Sequence, residues 1–243
     1  LSETSVKGIL INLHGETLAW KQQAHSTVNL KQIRSSVHKV YQYLRRQAAD
    51  KLQAIGMAVP GIIDFHTGTV LRSVNIAQLE GIELRSLLPG ELPAELFIEE
   101  SSRAKALAEL YFGAGQGRSS FVSIDLGIGI GAGIIAAKRI QGGVFAGEIG
   151  HLQIEPGGRL CACGHYGCLE AYISETVLCQ RLGEACGKKF DSLEELNDPN
   201  LIIKKTKIYL LNLSELAVRE ILGDTVERIA ARYQRLNSDI VSN

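Results

Sequence analysis

The chain has 243 residues, 45% of them apolar, enough for one large domain or two smaller ones with ordinary globular cores. Lys plus Arg and Asp plus Glu number 26 each, so the formal charge is zero and no broad basic face for a nucleic-acid backbone is implied. There is no apolar run of about 18 residues and no signal-peptide pattern, and the cysteines follow a metal-ligand pattern, so a reducing cytoplasm and no membrane partner are expected. The chain starts at Leu1 without an initiator methionine, and a preceding segment is expected.

Ser5 to Leu13 and Thr17 to Gln22 are short apolar-rich runs around His14-Gly15-Glu16, which reads as a β-hairpin. From Asn29 to Leu52, apolar residues at Leu30, Ile33, Val37, Val40, Tyr41 and Leu44 keep a helical period. Ala54 to Val59 has the pattern of a buried strand and ends at Pro60-Gly61; Glu95 to Glu99 is also strand-like. Ser101 to Phe112 predicts a helix with small residues on one face. A strand pair follows at Phe121 to Leu126 and Gly133 to Ala137, joined by the glycine-rich turn Gly127 to Gly131. The two halves repeat strand, turn, strand, so a duplicated α/β unit with two lobes and a cleft is expected, with the boundary near Ser102. That boundary divides the chain into an N-terminal α/β lobe, residues 1–102, and a C-terminal α/β lobe, residues 103–243, with a helical tail. In the tail Leu222, Val226, Ile229, Tyr233 and Leu236 form one apolar stripe, read as an ordinary packed helix without assigned function.

The chemistry concentrates in HLQIEPGGRLCACGHYGC, residues 151–168. Cys161 and Cys163 flank one alanine, Cys168 follows after a loop containing Gly164 and Gly167, and His151 enters from the preceding segment. Together they form a Cys3His set suited to tetrahedral Zn²⁺. Thiolates argue against calcium or magnesium. Three reduced thiols in a turn, or a disulfide between two of them, are the other readings of the same spacing. A closed set of four protein ligands leaves no position for water, so the expected role of the metal is structural. Cys179 and Cys186, seven residues apart on a predicted helix, read as core or surface thiols.

Two further constellations are open on the residues alone. Gly127-Ile128-Gly129-Ile130-Gly131 is either a tight turn between strands or a loop whose amides approach a phosphate. Glu148, three residues before His151, and Glu170, two after Cys168, are either solvated acids or convergent acceptors for a polyol such as a sugar. Asn75 is either a turn residue or a sugar ligand.

GEIGHLQIEPGGRLCACGHYGCLEAY, Gly147 to Tyr172, resembles the signature of the ROK family of bacterial repressors and sugar kinases. AIGMAVPGIIDFHTGTV, Ala54 to Val70, and FIEESSRAKALAELYFGAGQG, Phe97 to Gly117, are similar to its other landmarks. The resemblance covers most of the chain from Leu1 to about Ser174 and fades after about Phe190. It implies a two-lobed actin-like, hexokinase-like (ribonuclease H-like) α/β fold with a zinc-binding loop and a sugar in the cleft. By the resemblance His151, Cys161, Cys163 and Cys168 hold zinc, and Gly61, Asn75, Glu100, Ser101, Glu148, His151 and Glu170 line the sugar pocket.

The resemblance breaks at catalysis. Kinase members carry Glu-Asn-Asp where this chain has Glu99-Glu100-Ser101, the aspartate being the general base. A serine hydroxyl is no base near neutral pH without an activator, and losing a positioned base typically costs about 10²–10⁴-fold in rate. The first phosphate loop, Asp-x-Gly-Gly-Thr in kinases, is replaced by Leu1-Ser2-Glu3-Thr4, which opposes a phosphate by sterics and charge. The second, around Gly127 and Gly129, has Ile128 where kinases usually have threonine. Thr4, Gly127 and Gly129 are accordingly read as a vestigial phosphate loop. These losses predict the sugar-sensing, kinase-inactive part of a ROK-type transcriptional regulator, with DNA contact through a helix-turn-helix domain outside this sequence, and a homodimer or homotetramer. The alternatives are a ROK kinase phosphorylating a hexose or N-acetylated amino sugar with ATP, in which Glu99 or Glu100 replaces the base, and a catalytically dead subunit regulating a partner protein.

Overall fold

The computed structural model describes residues 1–2, 4–25, 29–48, 51–142 and 147–190, so the predicted tail helix lies outside the described residues. The chain divides into two compact units, Leu1–Ser123 with Ala132–Gly147, and Ile124–Gly131 with Glu148–Asn243.

In the first unit, β1 (Ser5–Ile11) and β2 (Thr17–Ala24) form the expected antiparallel hairpin, with Ile9 opposite Trp20. Helix α1 (Leu30–Gln47) begins at Asn29, whose side chain accepts from the Lys31 amide at 2.8 Å. This satisfies one of the helix's orphan donors. Its buried face is Ile33, Ser36, Val37, Val40 and Tyr41, the spacing of one helical stripe. Gly8 of β1 lets the helix approach: a Cβ there would lie 2.4 Å from Val40 Cγ1 and 2.7 Å from Leu44 Cδ1. The helix stops at Gln47, short of the expected Leu52, because the apolar stripe ends at Leu44 and nothing beyond it repays further helix.

Strand β3 (Ala54–Val59) is half-buried rather than the buried strand its apolar run suggested; only Val59 is fully inside. Next come β4 (Ile62–Asp64) and β5 (Thr69–Arg72), a short antiparallel pair too brief to show periodicity, and β6 (Glu95–Glu100), which runs parallel to β3. Their apolar faces join α1 in one core: Val6, Ile33, Val59, Ile63, Val70, Leu79 and Leu84 are all buried. Helix α2 (Ser101–Phe112) starts directly from β6 and buries Ser102, Arg103, Ala106 and Leu110.

Strands β7 (Phe121–Leu126), β8 (Ile130–Ala136) and β9 (Arg139–Ile140) form a sheet in that order. The small residues of α2 allow close approach to β8, since a Cβ on Gly133 would lie 2.2 Å from the Ala106 Cβ. β8 begins at Ile130, three residues before the expected Gly133, so the turn reduces to Gly127–Gly129. The reason is packing: Ile130 is buried with Leu169, Tyr172 and Ile173. Those residues flank α3 (Glu170–Ile173), which leads through Ser174 into α4 (Glu175–Cys186). Cys179 sits in the interior of α4 with Leu182 and Phe190, as a core thiol.

Candidate functional site

The segment 151–168 folds back on itself as a small knuckle. Leu160 bridges Tyr166 and Gln153 bridges Cys168 in antiparallel fashion, and the Cys161 amide donates to the His165 carbonyl at 2.8 Å. Two reversals need glycine. Gly164 has φ +93°, and Gly167 has φ +78° with its Cβ direction 1.7 Å from the Glu155 carbonyl oxygen, a position no side chain could occupy. The entrance is tied down by Tyr172, whose hydroxyl donates to the Glu155 carboxylate and accepts from the Arg159 amide at 2.9 Å.

This fold brings His151, Cys161, Cys163 and Cys168 together, with one ligand atom from each lying within 4.8 Å of all the others. Cys163 Sγ and Cys168 Sγ are 3.7 Å apart, and Cys161 Sγ is 3.8 Å from His151 Nδ1. A disulfide needs about 2.05 Å, so the cysteines are free thiols. Tetrahedral Zn–S bonds of about 2.3 Å place neighbouring sulfurs roughly 3.8 Å apart. The cluster therefore has the chemistry and dimensions of a metal site.

Electrostatics point the same way. Burial raises the Cys161 thiol, and burial reinforced by Cys163 and Cys161 pushes Cys168 up to about 12. For Cys163 burial is again the largest influence, but the hydrogen bonds from His165, Cys161 and Cys168 outweigh it and lower the thiol to about 6. Without a cation these sulfurs cannot all be thiolates at neutral pH; a bound divalent cation stabilises all three.

Two carboxylates border the cluster. Glu148 Oε2 is 3.9 Å from His151 Nε2, so the imidazole turns one nitrogen to the thiols and the other to a carboxylate. Burial pushes the Glu148 carboxyl up, His151 opposing and Glu170 adding to the effect. Glu170, the first residue of α3, accepts from the Ile130 amide at 2.8 Å through Oε2 and has Oε1 3.9 Å from Cys161 Sγ. The glycine turn itself is closed by backbone bonds: Gly127 N–H donates to Gly129 C=O at 3.0 Å, and the Gly127 carbonyl accepts from the Glu175 amide at the start of α4 at 2.8 Å.

The other predicted residues lie in the first unit. Gly61, between β3 and β4, has φ +118°, and its missing Cβ leaves room for the Arg72 carbonyl. Asn75 is exposed ahead of a 3₁₀ turn at Ala77–Leu79, and Thr4 is exposed at the entry to β1, its carbonyl accepting from His25 N at 2.8 Å. Ser101 is the first residue of α2. Both neighbouring acids are engaged. Glu100 caps α2, accepting from the Ser102 amide at 2.9 Å and the Arg103 amide at 3.0 Å. Glu99 pairs with the Arg103 guanidinium at 2.7 Å and 3.2 Å. Sequence reading passed over Arg103, although its i,i+4 spacing from Glu99 was the available signal. Arg103 is only 6% exposed and also holds the Gln141 carbonyl and the Phe65 ring.

The ROK family's sequence model matches residues 2–240. The chain belongs to the ROK family. The match runs through the tail, so the likeness does not stop near Phe190 as the residues alone suggested. This ROK chain is 37% identical over 134 residues to the xylose repressor of Caldicellulosiruptor bescii, covering 54% of this chain and 33% of that protein. It is 36% identical over 141 residues to the glucokinase of Thermotoga maritima, covering 57% and 44%. The matched segments thus span about a third to under half of these curated relatives. In structure it resembles the ROK hexokinase from Thermus thermophilus, with a TM-score of 0.65 and 26% identity over 88% of this chain and 74% of that one. The α/β fold is that of the ROK sugar kinases, and both repressors and kinases are among the relatives.

Proposed function

We propose that this chain is the effector-sensing part of a ROK-type transcriptional regulator, binding a sugar or sugar derivative without transferring phosphate to it. The observation that carries the reading is the β6–α2 junction. Ser101 stands where kinase members have the aspartate base, and the two adjacent acids are committed elsewhere, Glu100 to the helix cap and Glu99 to Arg103. A general base must be free to reach the proton it abstracts. At the vestigial phosphate loop, the Gly127 and Ile130 amides are occupied and the Glu170 carboxylate opposes an anion.

In this reading His151, Cys161, Cys163 and Cys168 hold Zn²⁺. Bound zinc supplies cross-linking of the knuckle and no open coordination position. The knuckle fixes the His151 ring so that Nε2 faces the effector side with Glu148, and α3 presents Glu170 beside it. Glu148, His151 and Glu170 then recognise sugar hydroxyls, with Gly61, Asn75 and Ser101 as the further sugar-binding residues, while Glu100 serves the helix cap. A sugar regulates only if it binds one state of the regulator more tightly than the other. DNA contact belongs to a helix-turn-helix domain outside this sequence, and the assembly is a homodimer or homotetramer in a reducing cytoplasm. The repressor relatives support this assignment; the glucokinase and hexokinase relatives support the alternative, a ROK sugar kinase using ATP.

The two are separated by incubating the purified full-length protein with ATP and a panel of hexoses and N-acetylated amino sugars, with products read by mass spectrometry. No phosphorylated sugar is expected, while one or more of the same sugars raises the unfolding temperature. Turnover above a protein-free control overturns the sensor reading and makes Glu99 or Glu100 the base to substitute.

A further inference from the structure

The metal reading leaves one imidazole of the knuckle unassigned. His165 lies at the loop tip between Cys163 and Cys168, and its Nδ1 is 3.5 Å from Cys163 Sγ. The backbone fixes this approach. The His165 carbonyl accepts from the Cys161 amide at 2.8 Å, the Gly164 amide donates to the Cys161 carbonyl at 2.9 Å, and the adjacent Tyr166 bridges Leu160. His151 cannot serve Cys163 in the same way, because its Nδ1 faces Cys161 and its Nε2 faces Glu148.

We propose that His165 is a positioning residue for the metal, donating its Nδ1–H to the Cys163 thiolate while Cys163 ligates the cation. Three thiolates and a neutral imidazole around Zn²⁺ leave a net negative charge, and a hydrogen bond to sulfur draws off part of it. The same bond holds the Cys163 side chain in its ligating rotamer. Cys163 is only partly buried, whereas Cys161 and Cys168 are buried, so it is the cysteine of the set most open to solvent. His165 thereby sets how tightly the knuckle retains its metal. This inference rests on the zinc reading of the cluster.

The test uses the full chain as wild type, His165→Ala, His165→Asn and His151→Ala. Zinc affinity is measured by competition with a chromophoric chelator, and the Co²⁺-loaded proteins are compared by absorption. His165→Ala is expected to weaken zinc binding by about 10–100-fold, the usual effect of removing an outer-shell partner, and to shift the sulfur-to-cobalt charge-transfer band. His165→Asn, whose amide nitrogen can stand where Nδ1 stands, is expected to keep affinity and band near wild type. An alanine variant matching wild type in both measurements overturns the proposal. So does a cobalt spectrum that loses a nitrogen ligand in His165→Ala but keeps it in His151→Ala, since His165 would then be a direct ligand. A wild-type protein that takes up neither metal overturns the zinc reading along with it, which separates the two failures.

Discussion

At the scale of single residues, what a side chain can do depends on what it already touches. Glu99 and Glu100 are adjacent carboxylates at the β6–α2 junction, and Arg103 and the first turn of α2 hold them. The i,i+4 spacing of Glu99 and Arg103 was visible in the text; that Arg103 would be buried against Phe65 was not, since arginine is usually exposed. The knuckle makes the opposite case. There the residue types alone named the four side chains that the fold brings together, because three thiols and an imidazole at short spacing have few other shared uses. Gly167 is its most constrained position, and Gly167→Ala puts a methyl against the Glu155 carbonyl at positive φ. We expect it to destabilise the protein by at least about 1–3 kcal/mol, the usual cost of such strain, and to lower metal content. Thermal unfolding and elemental analysis of the purified variant check this; unchanged values would mean the loop relaxes without strain.

At the scale of elements, the long periodic segments were legible and the short ones were not. α1 follows its apolar spacing and α2 its face of small residues, because an eighteen- or twelve-residue helix repeats one face often enough to be seen. β4 and β5, three and four residues long, carry no period and are made by their turn. In that turn Asp64 accepts from the His66 amide at 2.9 Å and from the Thr67 hydroxyl at 3.0 Å. The His66 amide bond foremost, then the Thr67 hydroxyl, hold the Asp64 carboxyl below its ordinary value. A lowered folded-state pKa means the ionised acid stabilises the fold. That contribution is complete above the unfolded-state pKa and is lost as pH falls through the folded-state one. Asp64→Ala should therefore lower the unfolding temperature at neutral pH, and the gap to wild type should narrow below about pH 4, where an ordinary aspartate titrates. A gap that stays constant down to acid pH would show that the turn does not depend on the carboxylate's charge.

At the scale of the whole molecule, one segment joins three features that lie far apart in sequence. Glu170 contacts Cys161 and anchors the Ile130 amide after the glycine turn, and α3 packs Leu169, Tyr172 and Ile173 onto Ile130. The knuckle is therefore not an isolated appendage: a metal held there would brace the core of the second unit. Metal removal should be felt there. A ligand present at a hundredfold excess over its Kd contributes about 2.7 kcal/mol to the folded state. Chelation of the zinc-loaded chain is thus expected to lower the unfolding temperature and to open the segment around residues 151–173 to limited proteolysis. Equal stability and an unchanged cleavage pattern with and without chelator would show that the thiols hold the knuckle unaided. Among the described residues no helix is long and apolar enough to cross a membrane.

The sequence by itself determined the Cys3His cluster, the family likeness and the main helices and strands, because each is written in residue types at short or regular spacing. Only the tertiary structure decided which carboxylates are free. Glu148 meets His151 three residues away, but Glu170 meets the Ile130 amide forty residues away, and the Arg103 guanidinium reaches the Gln141 carbonyl across thirty-eight. Such partners are chosen by how packed elements bring distant backbone groups together. Whether an acid is a base, a cap or half of an ion pair is set by that packing.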